Sequence, residues 1–369
     1  MRVKLYDLIG IKSGMNFYSG AFYKFLDENE IETQIISNFS HNNKRYLPNI
    51  FNNSKLKNII NLLLCYGKLF KYILNLKKEN FIIIFVYGLK MDIPLILMAR
   101  LSKRVIIDIH EVIELRNKST ILRRVFNILY KSSPNRVISH SEKTNTILTE
   151  FSYKKEAFFV PHFHFDVDVN YDIKKVSQDV ISSIQSNSKN FLFFGNIIAS
   201  KGVEDLLKAS SLIESADVKI IIAGQDIDSN IYNYKIENLI APNVQLILRY
   251  INDDELKYLF TKSDFVLLPY SDISQSGSIE MAIAFKKPIL TSNIVYFKKI
   301  IDAHPSFGKY IDTKDHIAFA DSLVQLSQKP LNQAFYNTYD VEKYFRNDKF
   351  QNFIKSLKEY NFLINSKTD

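Results

Sequence analysis

Asp264-Phe265-Val266-Leu267-Leu268-Pro269-Tyr270, then Ser274-Gln275-Ser276-Gly277-Ser278-Ile279-Glu280 and Lys287-Pro288-Ile289, spells a strand, a loop and a helix. The apolar run Phe265 to Leu268 reads as a buried strand that Pro269-Tyr270 ends. The small polar loop after it opens into a helix beginning near Ser278. Backbone N–H groups, hydroxyls and the positive end of a helix dipole, aimed at one spot, suit an anion. A phosphorylated ligand is therefore expected here.

Outward from this stretch, short apolar runs alternate with helical patterns. Strands are expected at Val3–Leu8, Thr33–Ser37, Phe81–Tyr87, Val105–Ile109, Arg136–Ser139 and Phe158–Val160. A second set follows at Asn190–Phe194, Val218–Ala223, Val244–Leu246, Phe265–Leu268 and Pro288–Thr291, with helices such as Gly202–Ile213 and Asp253–Thr261 between. A continuous run such as Phe81-Ile82-Ile83-Ile84-Phe85-Val86 suits a strand covered on both faces of a parallel sheet. The rhythm is βαβ, repeated in two halves that join near Asp166–Val180. Val341 to Tyr360 mixes aromatic and basic residues at helical spacing and is expected to close back over the first half.

A chain of 369 residues exceeds what one core usually serves, in line with two domains. Its single cysteine, Cys65, excludes an internal disulfide framework and a multi-cysteine zinc site, as in a reducing compartment. His140, His162 and His164 share no fixed spacing with carboxylates, so no metal site is expected. No run approaches the length of a spanning helix, and Met1-Arg2-Val3-Lys4-Leu5 leads into no signal-peptide core; a cytoplasmic protein is expected.

The net charge of +9 is unevenly placed. Residues 1–170 hold 25 Lys+Arg against 15 Asp+Glu, or +10, and the remainder 23 against 24, or −1. Lys55 to Lys78 and Ile121 to Lys131 each combine basic and apolar residues at helical spacing. Such helices either lie on anionic membranes or pack on a domain with a solvated lysine face. No nucleic-acid recognition motif accompanies the charge.

Three stretches of the second half converge on one chemistry. Phe193-Phe194-Gly195 is a strand ending in a glycine turn, followed by Lys201-Gly202 at a helix start, and Ala223-Gly224-Gln225 ends the next strand in the same way. Gly195 permits close backbone approach, and Lys201 can pair with a diphosphate. Ligands of open α/β sheets sit at the carboxyl ends of strands, where these loops fall.

Taken in order, Phe194-Gly195, Lys201-Gly202-Val203, Ala223-Gly224, Asp253-Asp254-Glu255-Leu256, Ser263-Asp264, Pro269-Tyr270, Gln275-Ser276-Gly277 and Lys287-Pro288-Ile289 resemble the donor domain of family 4 glycosyltransferases of the GT-B fold, over roughly residues 190–330. The resemblance implies an α/β protein of two Rossmann-like domains facing a cleft. Residues 1–170 would bind acceptor, 171–345 would bind donor, and 346–369 would form a helix packing back on the first domain. It also implies a nucleotide-sugar donor, no cofactor or obligatory metal, and retention of anomeric configuration. By the same resemblance Lys201 neutralises the donor diphosphate, and Ser276 and Gly277 hydrogen-bond it. Gly195, Gly224, Tyr270 and Gln275 complete the donor loops, and Glu280 meets the ribose. His110, in Asp108-Ile109-His110-Glu111, resembles the histidine that meets the sugar or steadies the acceptor, and Gly14 the first-domain glycine loop.

Two departures stand out. Many relatives carry an arginine shortly after the first donor glycine, where this chain has Asn196, Ile197 and Ile198; Arg249 is the residue placed to supply that charge. The family's paired glutamates are not intact either: Asp272 and Glu280 keep the eight-residue spacing, yet alignment on Pro288 puts Met281 at the second place. The expected function is a glycosyltransferase acting on a glycan or lipid-linked glycan at the inner face of a membrane, in surface polysaccharide synthesis. A non-catalytic nucleotide-sugar or partner-binding protein, and a nucleotide-sugar epimerase on the same fold, remain open alternatives.

Overall fold

Runs such as Asn80-Phe81-Ile82-Ile83-Ile84-Phe85-Val86 have no polar face to give to water, and the chain buries them in the middle of parallel sheets. The computed structural model describes residues 1–10, 15–42, 44–112, 119–160, 167–227, 240–273, 276–328 and 348–366. It divides into two units, Met1–Phe165 with Asn347–Asp369, and Asp166–Arg346.

In the first unit, strands β1 (Arg2–Asp7), β2 (Glu32–Ser37), β3 (Asn80–Val86), β4 (Val105–Ile109), β5 (Val137–Ser139) and β6 (Phe158–Phe159) form one parallel sheet in the order β2-β1-β3-β4-β5-β6. Helices α1 (Met15–Glu28), α2 (Lys55–Leu74), α3 (Asp92–Ala99), α4 (Thr120–Lys131) and α5 (Glu142–Glu150) connect them. Ser54, Ser119 and Ser141 start α2, α4 and α5 by accepting a backbone N–H three residues on. One core cluster joins β3 and β4 to Cys65, Leu69 and Ile73 of α2, Leu95 and Ile96 of α3, and Phe126 of α4. Each such side chain contributes about 1.5–3 kcal/mol by leaving water.

The second unit repeats the pattern. Strands β7 (Lys189–Phe194), β8 (Val218–Ala223), β9 (Val244–Ile247), β10 (Phe265–Leu268), β11 (Ile289–Ser292) and β12 (Gly308–Ile311) form a parallel sheet in the order β12-β11-β10-β7-β8-β9. Its helices are α6 (Gln178–Ser183), α7 (Val203–Ser210), α8 (Asp253–Lys262), α9 (Gly277–Ala284), α10 (Val295–Ala303) and α11 (His316–Ser327).

The last helix, α12 (Asp348–Asn365), belongs to the first unit. Phe353 meets Phe22 and Phe158 at 6.0 and 5.6 Å between ring centroids, Arg104 donates to Asn361, and Tyr360 donates to the Lys103 carbonyl at 2.8 Å. The expected return of the chain is thus observed.

Several expectations shift. The helix expected at Gly202–Ile213 is α7, Val203–Ser210, with a 3-10 turn at Ala199–Lys201 before it. Strand β12 had no counterpart in the sequence reading: Gly308-Lys309-Tyr310-Ile311 is a half-buried edge strand without an apolar run. The stretch expected as a linker contains the 3-10 turn Ile173–Lys175 and α6. No described helix is long and apolar enough to cross a membrane.

Candidate active site

In the second unit, β8 and β9 extend the sheet to one side of β7, and β10, β11 and β12 to the other. The loops after β7 and β10 therefore leave in the crevice where ligands of such sheets bind. Three glycines let the backbone pack there. Gly195 follows β7 with φ +125°, and a Cβ on it would come within 2.8 Å of Lys201 Nζ and 3.3 Å of Ser278 Oγ. Gly202 has φ +66°, and a Cβ would strike the Pro269 carbonyl oxygen; at Gly224 it would strike the Gly195 carbonyl oxygen. The carboxyl ends of β7, β8 and β10 are thus clamped together by positions that only glycine fills.

Lys201 lies across this floor, its Nζ 5.2 Å from the Tyr270 ring centroid, a cation–π arrangement. Tyr270 is buried between Phe193 and Phe297, and its carbonyl accepts from Ser292 Oγ. The Ser271 N–H donates to the Ser200 carbonyl at 2.8 Å, fixing the loop after β10 against the turn that carries Lys201.

Helix α9 begins at the same place. Ser276 caps it, its Oγ accepting the Ile279 N–H at 3.3 Å, and its own N–H donates to the Tyr296 hydroxyl. Since the Oγ accepts, its hydroxyl hydrogen can serve another acceptor. Ser278 Oγ donates to the Phe194 carbonyl at 3.0 Å, which holds the start of α9 beside Gly195. Glu280 is buried in the first turn of α9. Burial first, and then the nearby Glu280 charge, push the Tyr296 hydroxyl well up.

The structure thus brings Gly195, Gly224, Lys201, Tyr270, Ser276, Gly277 and Glu280 to the ends of β7, β8 and β10. Ser278 and Tyr296 are additions; a serine inside a helix start carries no signal of the strand end it will bind. Gln275 and Gly14 lie outside the described residues.

Arg249 is occupied elsewhere. It donates to Glu255 at 2.8 and 2.9 Å, to Asp179 at 2.9 and 3.2 Å, and to Ser177. Hydrogen bonds from Arg249 hold Asp179 down at about 2. Burial works against the Glu255 charge, but bonds from Arg249 and Ser177 and the capping box with Asn252 bring it down to about 2 as well. The expectation that Arg249 replaces the missing donor-loop arginine is therefore set aside: its described partners tie α6 to α8 and already neutralise it.

In the first unit the carboxyl ends of β1, β3, β4 and β5 carry a second cluster, made of side chains. Asp7 is buried and accepts from the Ile9 and Gly10 N–H groups, Ser19 and Tyr87 at 2.9–3.0 Å. Burial outweighs these bonds and pushes its carboxyl up to about 6. Burial likewise raises Asp92, which accepts from the Tyr87 and Leu89 N–H groups, to about 7.

Asp108, on β4, accepts from the Tyr18 hydroxyl at 2.8 Å and meets His140 Nε2 at 2.6 Å. His140 Nδ1 lies 2.8 Å from the Val160 carbonyl, which only accepts, so Nδ1 carries a hydrogen. The 2.6 Å contact at Nε2 is then a short hydrogen bond that ties His140 to Asp108. His110 follows β4, stacked on Tyr87 at 5.0 Å, edge-on to Tyr18 at 4.5 Å, and with Nε2 3.8 Å from the same Asp108 oxygen.

Ligand atoms of Asp108, His110 and His140 all lie within 4.8 Å of one another, close enough to suggest a cation. Two ligands of a tetrahedral zinc, each about 2.0–2.1 Å from the ion, stand about 3.3 Å apart. The 2.6 Å Asp108–His140 contact is hydrogen-bond length, so hydrogen bonding accounts for this cluster as it stands.

Residues 175–339 match the family model for glycosyl transferases group 1. An uncharacterized glycosyltransferase of Methanocaldococcus jannaschii is 26% identical over 141 residues, 38% of this chain and 36% of that protein. The match thus spans about a third of that relative's length. HepE of Anabaena, in complex with UDP and glucose, superposes with a TM-score of 0.62 at 14% identity, covering 97% of this chain and 100% of that one. WaaG, a glycosyltransferase involved in lipopolysaccharide biosynthesis, gives 0.63 at 13% identity, covering 96% and 98%. These superpositions show the two-sheet GT-B fold.

Proposed function

The chain belongs to the group 1 glycosyltransferase family, and on that premise we propose that it transfers a sugar from a nucleotide-sugar donor to a glycan or lipid-linked glycan, with retention of configuration. The observation that carries this reading is the convergence of Gly195, Lys201 and Ser278 at the loops after β7 and β10.

As the bond from the anomeric carbon to the diphosphate breaks, negative charge grows on the leaving phosphate oxygens. Groups that meet this charge stabilise the transition state more than the ground state. Lys201 supplies a full positive charge, the Ser276 hydroxyl a hydrogen, and the first turn of α9 its N–H groups and dipole. The glycine floor brings backbone close to the diphosphate, and Glu280 is assigned to the ribose. With retention, the acceptor approaches on the face the diphosphate leaves, and the departing phosphate takes the acceptor proton. We assign the acceptor to the first unit, where His110 meets the acceptor or the sugar and the Asp108–His140 pair holds it in place.

We also place the enzyme at the cytoplasmic face of a membrane, in surface polysaccharide synthesis. Support comes from the basic character of residues 1–170 and from the fold shared with WaaG, a glycosyltransferase involved in lipopolysaccharide biosynthesis. The test is a donor screen by thermal shift and product formation, with UDP-, GDP- and ADP-sugars and with wild type and Lys201→Ala. Stabilisation and transfer with one nucleotide class, both lost in the variant, is the expected result. No stabilisation by any donor overturns the reading and favours a non-catalytic protein.

A further inference from the structure

Helix α2 has two apolar faces, one more than a packed helix requires. Cys65, Leu69 and Ile73 face the core, with Leu62, Tyr66 and Tyr72 packed beside them. On the other side Leu56, Ile59, Ile60, Leu63, Leu64, Phe70 and Leu74 are exposed, Leu56 by 68%, Leu63 by 62% and Leu74 by 67%. At 100° per residue, Leu56, Ile60, Leu63, Phe70 and Leu74 fall within a stripe about 80° wide that runs the length of the helix. Gly67 lies in the same stripe, with nothing within 4 Å of a Cβ built on it.

The stripe is bordered by one sign of charge. No Asp or Glu occurs between Lys55 and Lys78. Lys57 and Lys71 lie on one flank, and the exposed Lys77 and Lys78 follow the helix end. Lys68, by contrast, is committed to the Tyr46 carbonyl at 2.6 Å. Helix α3 packs beside α2 and α4 beside α3, all three contributing to the same core cluster, and α3 and α4 expose Leu97, Ile121 and Ile128 with Arg124 and Lys131.

We propose that this outer face of α2, continued by α3 and α4, docks on the anionic phospholipid surface of a bilayer, the apolar stripe entering the headgroup boundary and the lysines meeting phosphates. An apolar partner helix would match the stripe alone. The acid-free lysine border selects a negatively charged, laterally extended partner. Lys57, Lys68 and Lys71 interrupt the apolar length needed for crossing, so the helix lies on the surface with the Lys57 and Lys71 stems extended toward the headgroups. The inference deepens the membrane-side placement proposed above and rests on that part of it.

The test is co-sedimentation with phosphatidylcholine vesicles, with and without phosphatidylglycerol, at low and high salt. Wild type is expected to bind the anionic vesicles, less so at high salt. Leu63→Glu with Leu74→Glu is expected to lower partitioning by about tenfold or more. Lys57→Glu with Lys71→Glu should remove the preference for anionic lipid, and Gly67→Leu should strengthen binding. Donor binding, followed by the thermal shift of the preceding section, should be unchanged in all of these. It therefore reports folding and separates failure of this inference from failure of the glycosyltransferase reading. Wild type that stays off anionic vesicles, or a Leu63→Glu/Leu74→Glu variant that binds like wild type, overturns the proposal. So does a self-associated form that this variant dissolves while vesicles capture nothing.

Discussion

The two units place their polar groups at the same topological position, the carboxyl ends of parallel strands, yet build them from different material. In the second unit the floor is backbone: Gly195, Gly202 and Gly224 let three strand ends touch, and one lysine and one helix start supply the charge. In the first unit it is side chain: Asp7, Asp108, His110, His140 and Tyr18 are buried together, with the half-buried Tyr87 against them. A backbone site tolerates no Cβ, whereas a side-chain site depends on where its protons sit.

The largest effect that would sharpen this contrast is expected from Gly202→Ala. The substitution combines a positive φ with a collision at the Pro269 carbonyl and should lose at least about 3 kcal/mol in denaturant unfolding. An alanine that leaves the midpoint unchanged would break the account of a glycine floor.

Arg249→Met comes next. It leaves the buried Glu255 carboxylate without its cation and should cost about 2 kcal/mol, with the Arg249 side that faces solvent limiting the loss. It should leave nucleotide affinity unchanged, because Arg249 serves α6 and α8 rather than the donor loops. A weakened nucleotide Kd with intact stability would restore Arg249 to the donor site.

The pH response of the two units should have opposite sign. Asp7 and Asp92 keep their protons up to about 6 and about 7 in the folded chain, against an ordinary 3.8. The folded state then binds more protons than the unfolded chain across that window. Their contribution is full below about pH 4 and is lost as pH rises toward 7, for Asp7 by roughly 3 kcal/mol. Asp179 and Glu255 are held at about 2, so their contribution is present above the ordinary carboxylate range and is lost as pH falls toward 2. In Tm against pH, Asp7→Asn should flatten the slope between pH 4 and 6, and Arg249→Met should flatten the acid limb. Unchanged slopes would contradict both assignments.

The smallest effect belongs to Gly67→Ala, on an exposed helix face with open space around it. A gain of about 0.5–1 kcal/mol is expected, the reverse of Gly202→Ala.

The same contrast explains what the sequence could say. Glycines and prolines at strand ends are local marks, so Gly195, Gly202, Gly224 and Pro269 could be read, and Lys201 with them. The buried strands were equally plain, because runs such as Phe81–Val86 have few other uses. The first-unit cluster was not legible beyond His110. Tyr18 and His140 are 122 positions apart, and only the sheet order brings both to Asp108. Ser278 was hidden for the same reason, since its partner is the carbonyl of Phe194. Arg249 was misassigned because a basic residue at a strand end looks the same whether it faces a ligand or two carboxylates. For α2 the periodicity could not choose between its apolar faces; packing against Leu95 and Ile96 decided which one stayed outside.

The claim that Lys201 and the start of α9 grip a donor diphosphate is tested most directly by calorimetric titration. The ligands are the nucleoside diphosphate chosen by the donor screen and its monophosphate, each with wild type and Lys201→Ala. The account predicts that wild type binds the diphosphate more tightly by about tenfold to a hundredfold, and that this ratio falls toward one in Lys201→Ala while monophosphate affinity stays the same. A diphosphate preference that survives the loss of Lys201 would contradict it.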